Sequence, residues 1–400
     1  MFALPVSSIN GYVHGGSKSY RHQFLKALIL SMAEPQVVLV LQGGGALGAY
    51  QGGVFAGLAE HGADIDWVVG TSIGAINGAI IAGNAPDVRA QKLMAFWQHV
   101  TIDEPSVLPY FGTADWLRPW TNATRALGTL MNGIPGFFQP RQNVGWDLAR
   151  IVPAGEASFY DTSPLEATLS RFVDFDYLNA GHVRFTVCAV NVATGELKRF
   201  DNGNGQQITP RHVMASGALP PGFPPVEIDG EVYWDGGIYS NTPIDIVLDD
   251  AERRDTLCFM VDLWDPTESV PDSIAAAMTR QKDIQYASRS REHLDDHRKM
   301  QNLRRAVRIL SRHVPPQERK SPDLKSLLEL GCDNTISIVR LIMKALPEDD
   351  HMKDIDFSRS TLTARWKAGH RDAERALRHK SWLKPLPAHL GMAIHELPQE

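Results

Sequence analysis

Cysteine is scarce: Cys188, Cys258 and Cys332 are the only three in 400 residues. That number is too small and too odd for a disulfide framework, and no Cys-x-x-Cys or His-Glu-x-x-His spacing marks a metal site. All three sit in or near apolar runs, so buried thiols in a reducing, cytoplasmic setting are expected. Long apolar runs are missing as well. The piece Phe24 to Leu30 carries Lys26, has no small-residue cleavage pattern and is too short to span a bilayer. Without a secretory signal, the sequon at Asn122-Ala123-Thr124 reads as accidental. An excess of positive charge is absent too. The net charge is −6, and although residues 251–400 lean basic, the whole chain has no nucleic-acid signature.

What is present is a set of glycine-punctuated apolar strands. Gln36 to Leu41 is an apolar, β-branched run ending at Gly43-Gly44-Gly45, which is how a strand buried on both faces reads. A helix follows, then a short strand over Ile65 to Val69, then Gly70-Thr71-Ser72-Ile73-Gly74. Ser72 falls where that strand turns sharply into a helix over 75–83, the context of a nucleophile elbow. Gly70, Gly74, Ala75, Gly78 and Ala79 supply the small neighbours such a turn needs; the bland alternative is a glycine-rich helix–sheet contact with a bystander serine.

The order strand, helix, strand, helix over 36–100 predicts a parallel sheet with right-handed crossovers, an α/β fold. Residues 101–157 break the pattern with six prolines and seven aromatic residues. They read either as a lid or binding loop or as a satellite core. Order returns with a helix start at Ser163-Pro164, a buried strand over 183–192, a hairpin over 226–234 about Asp229-Gly230, a helix near Thr242-Pro243 and a strand over 256–263. Beyond Pro271 the pattern is almost wholly helical. The expected organisation is a flexible N-terminal extension over 1–35, a catalytic domain over 36–270 and a helical C-terminal region over 271–400.

A serine needs a base, usually histidine. None is offered: eight histidines lie in the charged C-terminal region, His61 and His99 sit on helices, and His182 and His212 have no motif around them. The best remaining partner is Asp235, which ends a strand and is followed by Gly236 and Gly237.

Taken together, Gln42 to Tyr50, Gly70 to Gly74, Ala215-Ser216-Gly217-Ala218-Leu219-Pro220 and Asp235-Gly236-Gly237 resemble the motif blocks of patatin-like phospholipases over roughly residues 36–265. The resemblance implies a three-layer α/β/α core with a mostly parallel central sheet. It also implies a Ser–Asp dyad, with Ser72 as nucleophile, Asp235 as base, and Gly43, Gly44 and Gly45 as backbone donors to the oxyanion. No cofactor and no metal are implied. The expected activity is hydrolysis of lipid acyl esters through an acyl-enzyme, of phospholipase A or lysophospholipase type; other esters, thioesters and intracellular polyesters present the same bond. Many members carry Asp and Arg where this chain has Gln42 and Leu47, which leaves the loop without that cation. Residues 271–400 resemble the helical extension of a subset of bacterial relatives.

Two further readings stay open. Met300, Leu303, Val307 and Leu310 form an apolar stripe ringed by arginines, suited either to peripheral contact with an anionic membrane or to packing on the protein itself, the latter favoured. Gly43 to Gly48 also satisfies the G-x-G-x-x-G pattern of a dinucleotide-binding loop, but the next strand ends in Val69-Gly70-Thr71, without the acid that reading needs.

Overall fold

The computed structural model describes residues 35–103, 128–142, 149–287, 290–347, 349–379 and 381–397. The proposed N-terminal extension, and 104–127 and 143–148 of the proposed lid, lie outside the described residues.

The chain opens with β1 (Gln36–Leu41), α1 (Ala49–Glu60), β2 (Trp67–Gly70), α2 (Ile73–Ala82) and α3 (Arg89–His99). A short antiparallel pair, β3 (Gln139–Pro140) and β4 (Tyr160–Asp161), leads to α4 (Ser163–Phe172) and α5 (Phe175–Asn179). Then come β5 (Arg184–Asn191), β6 (Leu197–Asp201), α6 (Pro210–Ser216), β7 (Val226–Ile228), β8 (Glu231–Asp235), α7 (Ile244–Leu248) and β9 (Thr256–Asp262). The remainder holds α8 (Ile274–Ala287), α9 (Ser290–Ser311), α10 (Pro322–Glu329), β10 (Ile336–Ile342), α11 (Arg359–His379) and β11 (Met392–Glu396).

Nine strands form one mixed sheet in the order β11-β10-β9-β1-β2-β5-β8-β7, with β6 on the other edge of β5. The pairs from β11 through β5 are parallel; those among β5, β6, β7 and β8 are antiparallel. Burial on both faces explains the unbroken apolar runs. Val37, Leu39 and Leu41 join a core shared with α1, α2, α3 and α11, while Val38 and Val40 join a second core with Ile244, Ile246 and Leu294 from α7 and α9. Helices therefore cover both faces of the sheet. The hairpin turn between β7 and β8 places Asp229 (φ 52°) and Gly230 (φ 80°) both in the left-handed region, as a two-residue type I′ turn requires.

The reading of the C-terminal region as almost wholly helical needs correcting, because β10 and β11 extend the main sheet in parallel beyond β9. Arg340 disguised β10. Its guanidinium is buried mid-strand and donates from Nε to Asp262 at 2.6 Å and from Nη1 to Glu396 at 2.9 Å. The stripe on α9 is not its packing face: Leu294 and Gln301 are buried, whereas Met300, Leu303 and Leu310 are exposed. Among the described residues no helix is long and apolar enough to cross a membrane.

α11 crosses α1 at backbone contact. A Cβ on Gly53 would strike the Trp366 carbonyl and one on Gly369 the Tyr50 carbonyl, while the Tyr50 hydroxyl donates to Asp372 at 2.7 Å. Replacing a helical glycine by alanine ordinarily gains about 1 kcal/mol of helix propensity. At Gly53 the clash should outweigh that gain, so Gly53→Ala is expected to lower the thermal midpoint, and a raised midpoint would contradict this packing.

Candidate active site

β2 and β8 meet end to end. β5 has two edges and three partners: β6 lies along Thr186 to Val190, so β2, paired with Arg184 to Val187, and β8, paired with Ala189 to Asn191, must share the opposite edge. β2 runs parallel to β5 and β8 antiparallel, so their C-terminal ends converge, Gly70 opposite Val187 and Asp235 opposite Ala189. Residues 165 positions apart in sequence are thus brought to one place.

Ser72 occupies the turn from β2 into α2 with φ 56° and ψ −123°, a backbone conformation few non-glycine residues adopt. Glycines make room for it. A Cβ on Gly70 would hit the Gly74 carbonyl, and one on Gly74 would hit the Leu41 carbonyl. The Ser72 carbonyl starts the helix, accepting from Ala75 N at 2.9 Å, and its own N–H donates to Ser216 Oγ at 3.0 Å. Ser216 is fully buried at the end of α6, and Gly217 beside it leaves the Ser72 hydroxyl open on that side.

Asp235 is buried; its carboxylate accepts from the Gly237 N–H at 2.7 Å, and the Ser72 hydroxyl is the other neutral group that acts on it. Burial pushes its pKa up to about 7; the Gly237 N–H and the Ser72 hydroxyl pull the other way and hold it from rising further. The two glycines after it have separate reasons. A Cβ on Gly236 would press on the Cys188 carbonyl, and one on Gly237 would crowd Asp235 and Asn241.

The glycine loop lies against this pair. A Cβ on Gly43 would come within 3.2 Å of the Ser72 Cβ and collide with Asn241. The Gly43 N–H is already donated to the Asn241 carbonyl at 3.1 Å, so of the three proposed oxyanion donors this one is engaged. Among the described residues no acceptor is recorded for the amides of Gly44 and Gly45, and Gly45 is left-handed at φ 55°. Gln42, in the place where many relatives carry Asp, is fully buried and clamps the loop. Its Nε2 donates to Thr242 at 2.7 Å, and its Oε1 accepts from the amides of Leu263 and Trp264. Leu47 is buried, so no cation stands there.

Four of the described histidines are occupied elsewhere. His293 and His297 face Asp245, His370 faces Glu60, and His212 bonds within the cap of α6. None of the described histidines is recorded against Ser72 or Asp235. Burial raises the Cys188 thiol to about 12, which keeps it protonated and inert. The dinucleotide reading loses its acid in space as well, since Asp66 is spent accepting the Val37 N–H at 2.7 Å before β2 begins. Sequence reasoning missed Ser216 and Asn241 as site residues. Ser216 stood inside a quoted motif, but nothing in sequence says where its hydroxyl points.

A mixed, mostly parallel sheet with a strained serine at a strand–helix turn and a buried carboxylate beside it defines a class of α/β folds. The family follows from comparison: a family model described as patatin-like phospholipase matches residues 39–248, and a second, described as patatin phospholipase, matches residues 284–389. The chain belongs to the patatin-like phospholipase family. It is 26% identical over 227 residues to mouse patatin-like phospholipase domain-containing protein 7, a stretch that is 56% of this chain and 14% of that protein. Among solved structures it is similar to VipD from Legionella pneumophila (14% identity, TM-score 0.36, covering 86% of this chain and 67% of that one). It is also similar to human GIVD cytosolic phospholipase A2 in complex with methyl γ-linolenyl fluorophosphonate (14% identity, TM-score 0.34, covering 92% and 63%).

Two outcomes are expected. Because the folded pKa of Asp235 lies above its unfolded value of about 3.9, the native state binds the extra proton, and stability falls as pH rises from about 4 to 7. Asp235→Asn removes that dependence and should be more stable than wild type at pH 8 by a few kcal/mol, with the gap closing toward pH 4; pH-dependent denaturant unfolding reads it. Ser216→Ala leaves the half-buried Ser72 N–H without that acceptor, at a cost of about 0.5–1.5 kcal/mol, and should lower the rate of the acylation expected at Ser72 more than it changes substrate affinity. Unchanged acylation kinetics would count against that role.

Proposed function

We propose that the protein is a lipid acyl hydrolase of phospholipase A or lysophospholipase type, with its chemistry in residues 36–270. In this reading Ser72 Oγ attacks the ester carbonyl while Asp235 takes its proton. The amides of Gly44 and Gly45 meet the charge on the carbonyl oxygen, each such donor being worth about 3–4 kcal/mol in the transition state. Asp235 then returns the proton to the departing alcohol. A water deprotonated by the same carboxylate cleaves the acyl-enzyme and restores the serine.

The observation that carries this reading is the convergence of β2 and β8 on one edge of β5, which sets the strained Ser72 beside Asp235, a buried carboxylate whose burial brings its pKa to about 7. At its unperturbed value near 3.9 an aspartate is a feeble base; near 7 it is matched to neutral pH. Family membership supports a lipid as the substrate. Thioesters and polyesters offer the same carbonyl, and the walls around the dyad, not the dyad, choose among them.

A panel of phospholipids, lysophospholipids, short esters and thioesters, assayed on wild type, Ser72→Ala and Asp235→Asn, tests the reading. Both variants are expected to lose at least ~10³-fold in kcat. Wild-type kcat/KM should rise with pH to a plateau above about 7, because only the ionised Asp235 accepts the proton. Hydrolysis that persists undiminished in Ser72→Ala would refute the mechanism.

A further inference from the structure

The region over 271–400 meets the glycine loop from behind, and it does so through one dipeptide used twice. Lys282-Asp283 lies on α8; Lys353-Asp354 lies in the turn before α11. The two pair reciprocally, Lys282 Nζ to Asp354 Oδ1 and Lys353 Nζ to Asp283 Oδ1, each at 2.5 Å. The second pair is buried on both sides, the first is partly exposed. Lys282 also donates to the His351 carbonyl at 3.1 Å.

Both halves of this clasp touch the loop. The Asp354 carbonyl packs where a Cβ on Gly45 would be. Lys353 Nζ sits 5.2 Å from the Trp264 ring centroid, and Trp264 Nε1 donates to the Gly43 carbonyl at 2.9 Å and lies where it would crowd a Cβ on Gly44. On the other side, Tyr286, one turn beyond Lys282, stacks on Trp264 with centroids 5.0 Å apart. Its carbonyl accepts from Asn241 Nδ2 at 2.9 Å and from Gln42 Nε2 at 3.2 Å. Three successive loop residues, Gly43, Gly44 and Gly45, are thus backed by groups the clasp joins.

We infer that the reciprocal Lys282–Asp354 and Lys353–Asp283 pairs are a positioning device for the oxyanion loop, fixing where the Gly44 and Gly45 amides point. The inference rests on the proposed roles of Ser72 and the loop. Its physical basis is rigidity. Oxyanion donors act only when held where charge will form, and an ångström of misplacement can cost about 10²-fold in rate. Closing the back of the loop by ion pairs that bridge two segments 70 residues apart restricts that movement.

Lys282→Met, Lys282→Arg and Lys353→Met in the full chain provide the test, assayed for kcat, KM and fluorophosphonate labelling at a temperature where circular dichroism shows each variant folded. Lys282→Met is expected to lower kcat and the labelling rate about three- to tenfold with KM within about twofold, and Lys282→Arg to stay within about twofold of wild type. Lys353→Met, which strands a buried carboxylate, should fall further, to about one-tenth or less. A folded Lys353→Met or Lys282→Met with wild-type kcat overturns the inference, as does Lys282→Arg falling as far as Lys282→Met. If Lys353→Met does not fold, the two Lys282 variants decide alone. Ser72→Ala is run beside them: full activity there signals failure of the underlying reading, whereas its loss together with unchanged Lys282→Met and Lys353→Met signals failure of the clasp alone.

Discussion

A carboxylate buried beside a strained serine, with only neutral donors to hold it, is the constraint on which the site depends. Among the described residues no cation is recorded to offset the burial of Asp235; the Gly237 N–H donates to it, and the Ser72 hydroxyl is the other neutral group that acts on it. An ionised carboxylate in such a place is costly, and that cost is what raises its affinity for a proton into the neutral range. The Ser72 backbone stores a second cost, in a conformation glycine would take more easily. Neither would persist unless the surroundings determined it several times over.

The surroundings do so. β5 offers one edge to two strands that approach from opposite ends, so Gly70 and Asp235 stop two residues apart along it. Glycines at 70, 74, 236 and 237 let backbone approach backbone where a single methyl group would not fit. Asn241 ties the Asp235 turn to the glycine loop, its carbonyl taking the Gly43 N–H and its amide reaching the Gly43 carbonyl at 3.2 Å. Beyond this, β10, β11 and the Lys-Asp pairs make the region after residue 270 part of the same sheet and the same loop support.

The parts of this that sequence made legible are those that leave local marks. Parallel strands buried on both faces show as unbroken apolar runs, and a sharp turn shows as glycines at fixed offsets, so β1, β2, the elbow at Ser72 and the Asp235-Gly236-Gly237 turn were all visible. What stayed hidden was relational. β10 reads poorly because Arg340 interrupts it, and only Asp262 and Glu396, 78 and 56 positions away, make that arginine tolerable. As text Gly43 is equivalent to its two neighbours; in the fold Asn241 holds its N–H. The Lys-Asp dipeptides carry no pattern at all as text; their meaning lies in facing each other.

The most direct measurement is the crystal structure of the protein after reaction with an alkyl fluorophosphonate, whose phosphoryl oxygen stands in for the oxyanion of the tetrahedral intermediate. The expected result is a covalent bond to Ser72 Oγ, with that oxygen about 2.7–3.1 Å from the Gly44 and Gly45 nitrogens and Asp235 still against the serine. An adduct on another residue, or on Ser72 with the phosphoryl oxygen turned away from both amides, would contradict the account.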